Sequence, residues 1–179
     1  MREIWDAYDV NGNKLGFDLY RDEPVPENVY HILVEIYVVT KNNKVLVTQR
    51  HPDKSYPLKW ENTGGSILKG ETPIHGAIRE LYEETGIKVP ENQIQFAYKE
   101  VGTQPQLYHC FVALVDDDIE IKLQDGETVD YKFLPYGEFM EFILTDAFVD
   151  KIGESILRHT DEIWTAVEKL KRKIYCYEV

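Results

Sequence analysis

The sequence predicts an α+β fold in which a mixed β-sheet is covered by helices. Three features carry that expectation: early runs of strand length rich in Val, Ile and Tyr, an amphipathic helix with clear start and stop residues near the middle, and further strands followed by two helical stretches. No internal repeat or low-complexity segment interrupts the order.

Taken from the N-terminus, Ile4–Val10 and Leu15–Tyr20 flank Asn11-Gly12-Asn13-Lys14. Asn-Gly is the strongest short-range hairpin signal, so the chain opens with a β-hairpin. Pro24 and Pro26 make Arg21–Asn28 an extended connector. His31–Thr40 and Lys44–Gln49, joined by Lys41-Asn42-Asn43, predict a second hairpin with a strand buried on both faces. Arg50–Lys59, with Pro52 and Pro57, reads as a long exposed loop that runs into Trp60-Glu61-Asn62-Thr63-Gly64-Gly65.

A helix follows over 72–85. Thr72 is a good N-cap, Pro73 is tolerated at the first helical position, and Gly86 is placed for the C′ stop. Ile74, Ala77, Ile78, Leu81 and Thr85 keep the i, i+3, i+4 rhythm of one buried stripe. Strands are predicted at Ile94–Glu100, Gln106–Val115 and Thr128–Leu134. Helices follow at Tyr136–Leu144 and Asp146–Tyr175, the second broken near His159-Thr160-Asp161. Ile163, Trp164, Val167, Leu170 and Ile174 form a stripe expected to pack on the sheet, although a dimer interface would use the same residues.

With 179 residues, 43% of them hydrophobic, the chain can bury one sizeable core, and a single domain over 1–179 is expected. Its parts are a hairpin and connector (1–30), a core (31–145) and a C-terminal helical segment (146–179). The net charge of −12 disfavours DNA, RNA and anionic membranes as partners. A phosphate-handling role fits such acidity only when a divalent cation inverts the local field. Cys110 and Cys176 form neither a zinc pattern nor a disulfide framework, and Cys110 reads as a small core residue. The acidic, mixed N-terminus and the lack of any long apolar run point to a cytoplasmic protein.

The exposed side of the 72–85 helix breaks local rules. Glu80, Glu83 and Glu84 share one face at i, i+3, i+4, where like charges cost a few tenths of a kcal/mol per pair. Glu83 and Glu84 also occupy the last turn, which the helix dipole reserves for cations. Uncompensated rule-breaking of this kind marks functional sites. Gly64-Gly65 lies just upstream, where a turn could aim carbonyls at the helix, and Arg79 can fix a carboxylate through a two-point bond. Carboxylates plus a carbonyl, without Cys or His, make a hard-oxygen site suited to Mg²⁺ or Mn²⁺.

Gly65, Glu71 and the run Arg79-Glu80-Leu81-Tyr82-Glu83-Glu84-Thr85-Gly86-Ile87 match all nine specified positions of the Nudix box, G-x5-E-x7-R-E-U-x-E-E-x-G-U, with both spacers of the right length. The chain therefore resembles the Nudix hydrolase (MutT-like) family. The resemblance spans about residues 1–145 and implies a Nudix-type α/β/α sandwich with an N-terminal hairpin extension and C-terminal helices. It also implies a Mg²⁺-dependent pyrophosphohydrolase acting on a small-molecule diphosphate. On the same resemblance, Glu83 and Glu84 fall on the principal metal ligands, Glu80 on a third box carboxylate or general base, and the Gly65 carbonyl on a backbone ligand. Arg79 and Glu71 match the pair that organises the loop and helix. A further acid from outside the box often joins the site in this family, and Glu127 is the candidate here, with Asp130 the fallback. Family members are frequently homodimers.

Trp5-Asp6-Ala7-Tyr8-Asp9 and Arg50-His51-Pro52-Asp53-Lys54 resemble a branch related to type I isopentenyl-diphosphate isomerases. Those enzymes place a reactive Cys just before the box Gly and a His just after it, positions held here by Gly64 and Ser66-Ile67, and their box departs from the R-E-x-x-E-E pattern kept here. Hydrolysis is favoured over isomerisation, and over a non-catalytic binding module, whose box is usually eroded. Arg50, His51, Lys54 and Lys59 are either phosphate contacts or ordinary surface charge. Tyr56 could stack on a ring, Trp60 reads as an anchor, and His75 as a surface residue.

Overall fold

The computed structural model describes residues 2–175, with side chains through Lys173. Cys176 lies outside that range, and so does the side chain of Ile174. The chain folds as an α+β sandwich. Its first two strands, β1 (Ile4–Tyr8) and β2 (Lys14–Tyr20), form a separate antiparallel pair. The predicted hairpin is present, but its turn is longer than the Asn-Gly pair alone. Asp9 Oδ1 accepts the amides of Asn11 and Asn13, both at 2.9 Å, and Gly12 takes the left-handed φ of 86° that favours glycine.

The main sheet has β3 (His31–Thr40) at its centre. It runs parallel to β8 (Gln106–Val115), which in turn pairs antiparallel with β7 (Ile94–Val101). That mixture of directions is the mixed sheet the sequence predicts. As expected, β3 is buried on both faces. Val34, Ile36 and Val38 pack with Leu46, Ile67, Ala77 and Leu81 of one core, while Tyr37 and Val39 enter the other.

The second hairpin is looser than the sequence suggests. β4 (Lys44–Arg50) pairs with β3 only at Val39↔Val45, next to the turn, and then diverges to pair with β5 (Trp60–Glu61) and β9 (Thr128–Pro135). The vacated edge of β3 is taken by β6 (Thr63–Ser66), with Glu35 opposite Gly64 and Val34 opposite Gly65. The glycines read as loop because they have low strand propensity, and the open edge of β3 recruits them nonetheless.

One face of the sheet carries α1 (Pro73–Thr85), and the other carries α2 (Tyr136–Phe142), α3 (Asp150–Arg158) and α4 (Thr160–Tyr175). The break between the last two helices falls at His159, as predicted. Ile163, Val167 and Leu170 of the α4 stripe are buried in the core beside Tyr98 and Ile156. Cys110 is fully buried, matching its reading as a core residue. No helix among the described residues is long and apolar enough to cross a membrane.

Candidate active site

The α1 helix starts and stops where its sequence dictates. Thr72 accepts the amide of His75 at 3.4 Å, Pro73 opens the first turn, and Gly86 closes the last at φ 73°, its N–H bonded to Tyr82 O. Ala77, Leu81 and Thr85 are fully buried and Ile74 and Ile78 partly so. This fixes the helix's rotation, places Glu80 and Glu84 against the glycines of β6, and leaves Glu83 toward solvent. The N-terminal hairpin secures the loop before the helix. Asp6 accepts the amide of Gly70 at 2.8 Å, Lys69 N–H donates to Ile4 O at 2.8 Å, and Trp5 stacks on His31 with centroids 4.2 Å apart.

Gly65 is required by contact. A Cβ there would stand 2.5 Å from the Glu80 carboxyl carbon, so the β6 backbone lies directly against that carboxylate. Gly64 is held more tightly still, since its Cβ would meet the carbonyl oxygen of Val34 at 2.2 Å. Its amide donates to Glu84 Oε2 at 3.3 Å.

Two cations divide five carboxylates between them. Arg79 takes Glu71 through a two-point bond, reaches Glu80 Oε1 and Glu83 Oε2 at 2.8 Å each, and donates to Ser66 O at 3.0 Å. Lys54 takes the others: its Nζ is 2.6 Å from Glu127 Oε2 and 3.8 Å from Glu84 Oε1. Glu127 is thereby brought to the box helix across the loop that joins β8 to β9, whose Gln124 N–H also donates to Glu84 O at 3.2 Å. Asp130 is not brought there; it is exposed, and its carboxylate accepts the amide of its own neighbour Tyr131 at 2.8 Å.

Burial sets the electrostatics. Glu84 is 5% exposed, and loss of water pushes its carboxyl up to about 8, with Lys54 opposing and Glu61 and Glu80 adding to the rise. Burial also raises Glu80, against the pull of Arg79. For Glu71 burial acts upward, but the Arg79 bonds and the Leu68 amide outweigh it and leave the group below its ordinary value. Among the described residues no three His, Cys, Asp or Glu side chains converge closely enough to share an ion as they stand. Arg79 Nη1 engages both Glu80 and Glu83, and Glu84 turns away to the Gly64 amide. The donor set nevertheless fits a hard dication: every group is an oxygen, the carboxylates outnumber the cations, and the Gly65 backbone lies within reach of Glu80.

A cleft of about 350 Å³ opens beside the glycines where β3 and β4 part. Glu35, Glu61, Asn62, Tyr108 and Arg158 are among its walls. Sequence reasoning missed these residues because they come from four separate stretches. Glu61 is gripped by Arg50 at 2.5 and 2.6 Å, and Glu35 accepts from Tyr37 Oη at 3.1 Å. The signal that could have found them is an acidic residue inside an apolar run, as Glu35 is. The buried amide of Asn62 makes no hydrogen bond.

The remaining sequence candidates have ordinary partners. Lys59 pairs with Asp150 at 2.9 Å, and His75 with Glu91 at 2.8 Å on the surface. Trp60 is buried under Lys132, and His51 faces Asp53. Tyr56 is exposed at the mouth of the cleft.

The NUDIX domain model matches residues 29–170. An uncharacterized Nudix hydrolase of Listeria monocytogenes is 27% identical over 143 residues, covering 74% of this chain and 79% of that protein. Nudix hydrolase 3 of Arabidopsis thaliana is 27% identical over 156 residues, covering 79% of this chain; the chain spans 20% of the length of that relative. The crystal structure of DR0079 from Deinococcus radiodurans superposes with a TM-score of 0.73 at 16% identity, covering 88% of this chain and 99% of that one.

Proposed function

The chain belongs to the Nudix family, and we propose that it is a pyrophosphohydrolase that cleaves a nucleoside diphosphate derivative or other organic pyrophosphate with Mg²⁺ bound at the box helix. The observation that carries this reading is the joining of an intact box to an outside acid. Glu80, Glu83 and Glu84 lie on one side of α1, the Gly65 backbone rests against Glu80, and Lys54 bridges Glu84 to Glu127.

Glu80, Glu83, Glu84, Glu127 and the carbonyl of Gly65 would hold the metal, with Mn²⁺ a possible substitute. Bound there, the ion supplies charge neutralisation for the diphosphate and a more acidic water. The protein's own part is positioning and proton transfer. Arg79 touches no substrate in this scheme; it fixes Glu71, Glu80, Glu83 and the Ser66 carbonyl relative to one another. Burial makes Glu80 more basic than an ordinary glutamate, which suits it to take the proton from attacking water, with Glu127 the other group placed for that role. Water adds to one phosphorus, the bridging oxygen leaves with the other, and an organic monophosphate and a second phosphate species result. Gly64 stands where isomerases of the related branch carry their thiol, which supports hydrolysis over isomerisation.

A panel of nucleoside triphosphates, nucleotide sugars, dinucleotide polyphosphates and isopentenyl diphosphate, run with Mg²⁺, Mn²⁺ or chelator, tests the reading through released phosphate. Metal-dependent hydrolysis of at least one compound is expected. Isomerisation of isopentenyl diphosphate at an enzymatic rate without hydrolysis, or cleavage indifferent to chelator, would overturn it.

A further inference from the structure

We propose that Lys54 is a built-in counter-ion that holds Glu84 and Glu127 together before metal arrives and competes with the metal for them, so that it sets the metal affinity of the substrate-free enzyme. The inference rests on the metal site proposed above and concerns a residue outside the box. Its first support is the division of charge. Arg79 bonds Glu71, Glu80 and Glu83 and leaves Glu84 alone, whereas Lys54 lies 2.6 Å from Glu127 and 3.8 Å from Glu84. Glu84, almost fully buried, is otherwise served by one long bond from the Gly64 amide, so Lys54 is the main cation facing it.

The second support is that Lys54 is placed by its surroundings. The Lys54 amide donates to His51 O at 3.1 Å, and His51 N–H donates to Glu127 O at 2.9 Å, so the backbones carrying the ammonium and its partner are tied together. Arg50 closes the same loop by donating to the Ser55 carbonyl at 2.5 Å and hydroxyl at 2.9 Å, and Gln49 donates to Leu58 O at 2.9 Å. Within this frame Tyr56 and Leu58 take left-handed φ values of 54° and 60°, a region L side chains rarely adopt. Strain of this kind persists only where neighbouring contacts over-determine the backbone, and it clusters at functional segments. The Lys54 side chain is 22% exposed and directed inward to the acids, unlike the usual solvated lysine.

A dication and an ammonium cannot both lean on Glu84 and Glu127 without repelling each other. Metal entry therefore displaces Lys54, and the cost of that displacement weakens binding. In an acidic protein this keeps the empty site from clamping stray cations and frees a positive group beside the diphosphate when the metal is in place.

The test is Mn²⁺ binding to the full chain without substrate, followed by electron paramagnetic resonance of the free ion. Lys54→Met, or Lys54→Gln should the first fail to fold, is expected to bind Mn²⁺ about tenfold more tightly than wild type. Lys54→Arg should stay near wild type, and so should Lys59→Met, whose lysine sits on the same loop but pairs with Asp150. Unchanged or weaker binding in the Lys54 variants would overturn the proposal, as would equal tightening by Lys59→Met. Mn²⁺ binding to none of the proteins would overturn it together with the proposed metal site. Selective tightening alongside no hydrolysis of any diphosphate would sink the proposed reaction and leave this inference standing.

Discussion

Arg79 and Glu71 hold each other through two parallel hydrogen bonds, Nε to Oε1 at 3.0 Å and Nη2 to Oε2 at 2.9 Å, eight residues apart across the turn that starts the box helix. The same Glu71 Oε2 accepts the amide of Leu68 at 2.9 Å, which shapes the loop leading into the helix. One planar guanidinium thereby sets the positions of three carboxylates and one carbonyl. A lysine could supply the charge but not the fork. Arg79→Lys is expected to lower turnover by roughly 10- to 100-fold while circular dichroism stays unchanged. Turnover within twofold of wild type would show that the geometry tolerates a point charge.

The adjacent glycines should respond differently to the same substitution. At Gly65 the added methyl meets the end of a flexible side chain, so Glu80 swings aside and the fold survives; at Gly64 it meets the backbone of β3, which cannot yield. Gly65→Ala is expected to melt near wild type and lose at least ~10-fold in activity, the scale of a misplaced catalytic group. Gly64→Ala is expected to lower the melting temperature by several degrees, about what a loss of 1–3 kcal/mol produces. The reverse pattern in melting curves and turnover would contradict the assigned contacts.

Glu35 gives the fold a pH dependence of known sign. Burial pushes its carboxyl up to about 7, against the hydrogen bonds from Tyr37 and Cys110. The folded protein therefore keeps a proton there that the unfolded chain releases near its ordinary value of 4.5. The stability this contributes is fully present below the unfolded value and is lost as pH rises through 7. At ~1.4 kcal/mol per pKa unit, the full swing is on the order of 3 kcal/mol. Glu35→Gln, neutral throughout, should melt near wild type at pH 5 and above it at pH 8, measured without metal. A gap that is constant with pH, or that widens toward acid, would show that Glu35 is ionised in the fold.

The parts of the molecule legible in the sequence are those specified locally. Thr72, Pro73 and Gly86 mark the ends of α1 with their own side chains or lack of one, and the strands from Ile94, Gln106 and Thr128 begin at the residues their composition indicates. The acidic face of the helix was visible for the same reason: its residues are three and four apart. What was hidden depends on distant partners. Thr63–Ser66 becomes a strand only because β4 leaves β3 after a single pair of residues. Glu127 and Asp130 are separable only in the fold: the loop before β9 turns Glu127 to Lys54, whereas Asp130, inside β9, faces solvent. Lys54 itself read as one of several loop cations. Its pairing with Glu84, thirty residues on, is a property of the folded loop.

The most direct test of the central claim, that the carboxylates of α1 bind the ion that makes diphosphate cleavage possible, is turnover by Glu83→Gln and Glu84→Gln with saturating Mg²⁺ on the best substrate of the panel. Each variant is nearly isosteric, so the fold should be kept while a charged ligand is lost. The expected result is a fall of at least ~100-fold for both, the scale of removing a key electrostatic group from a transition state. Near-normal turnover in both, with melting curves matching wild type, would contradict the claim.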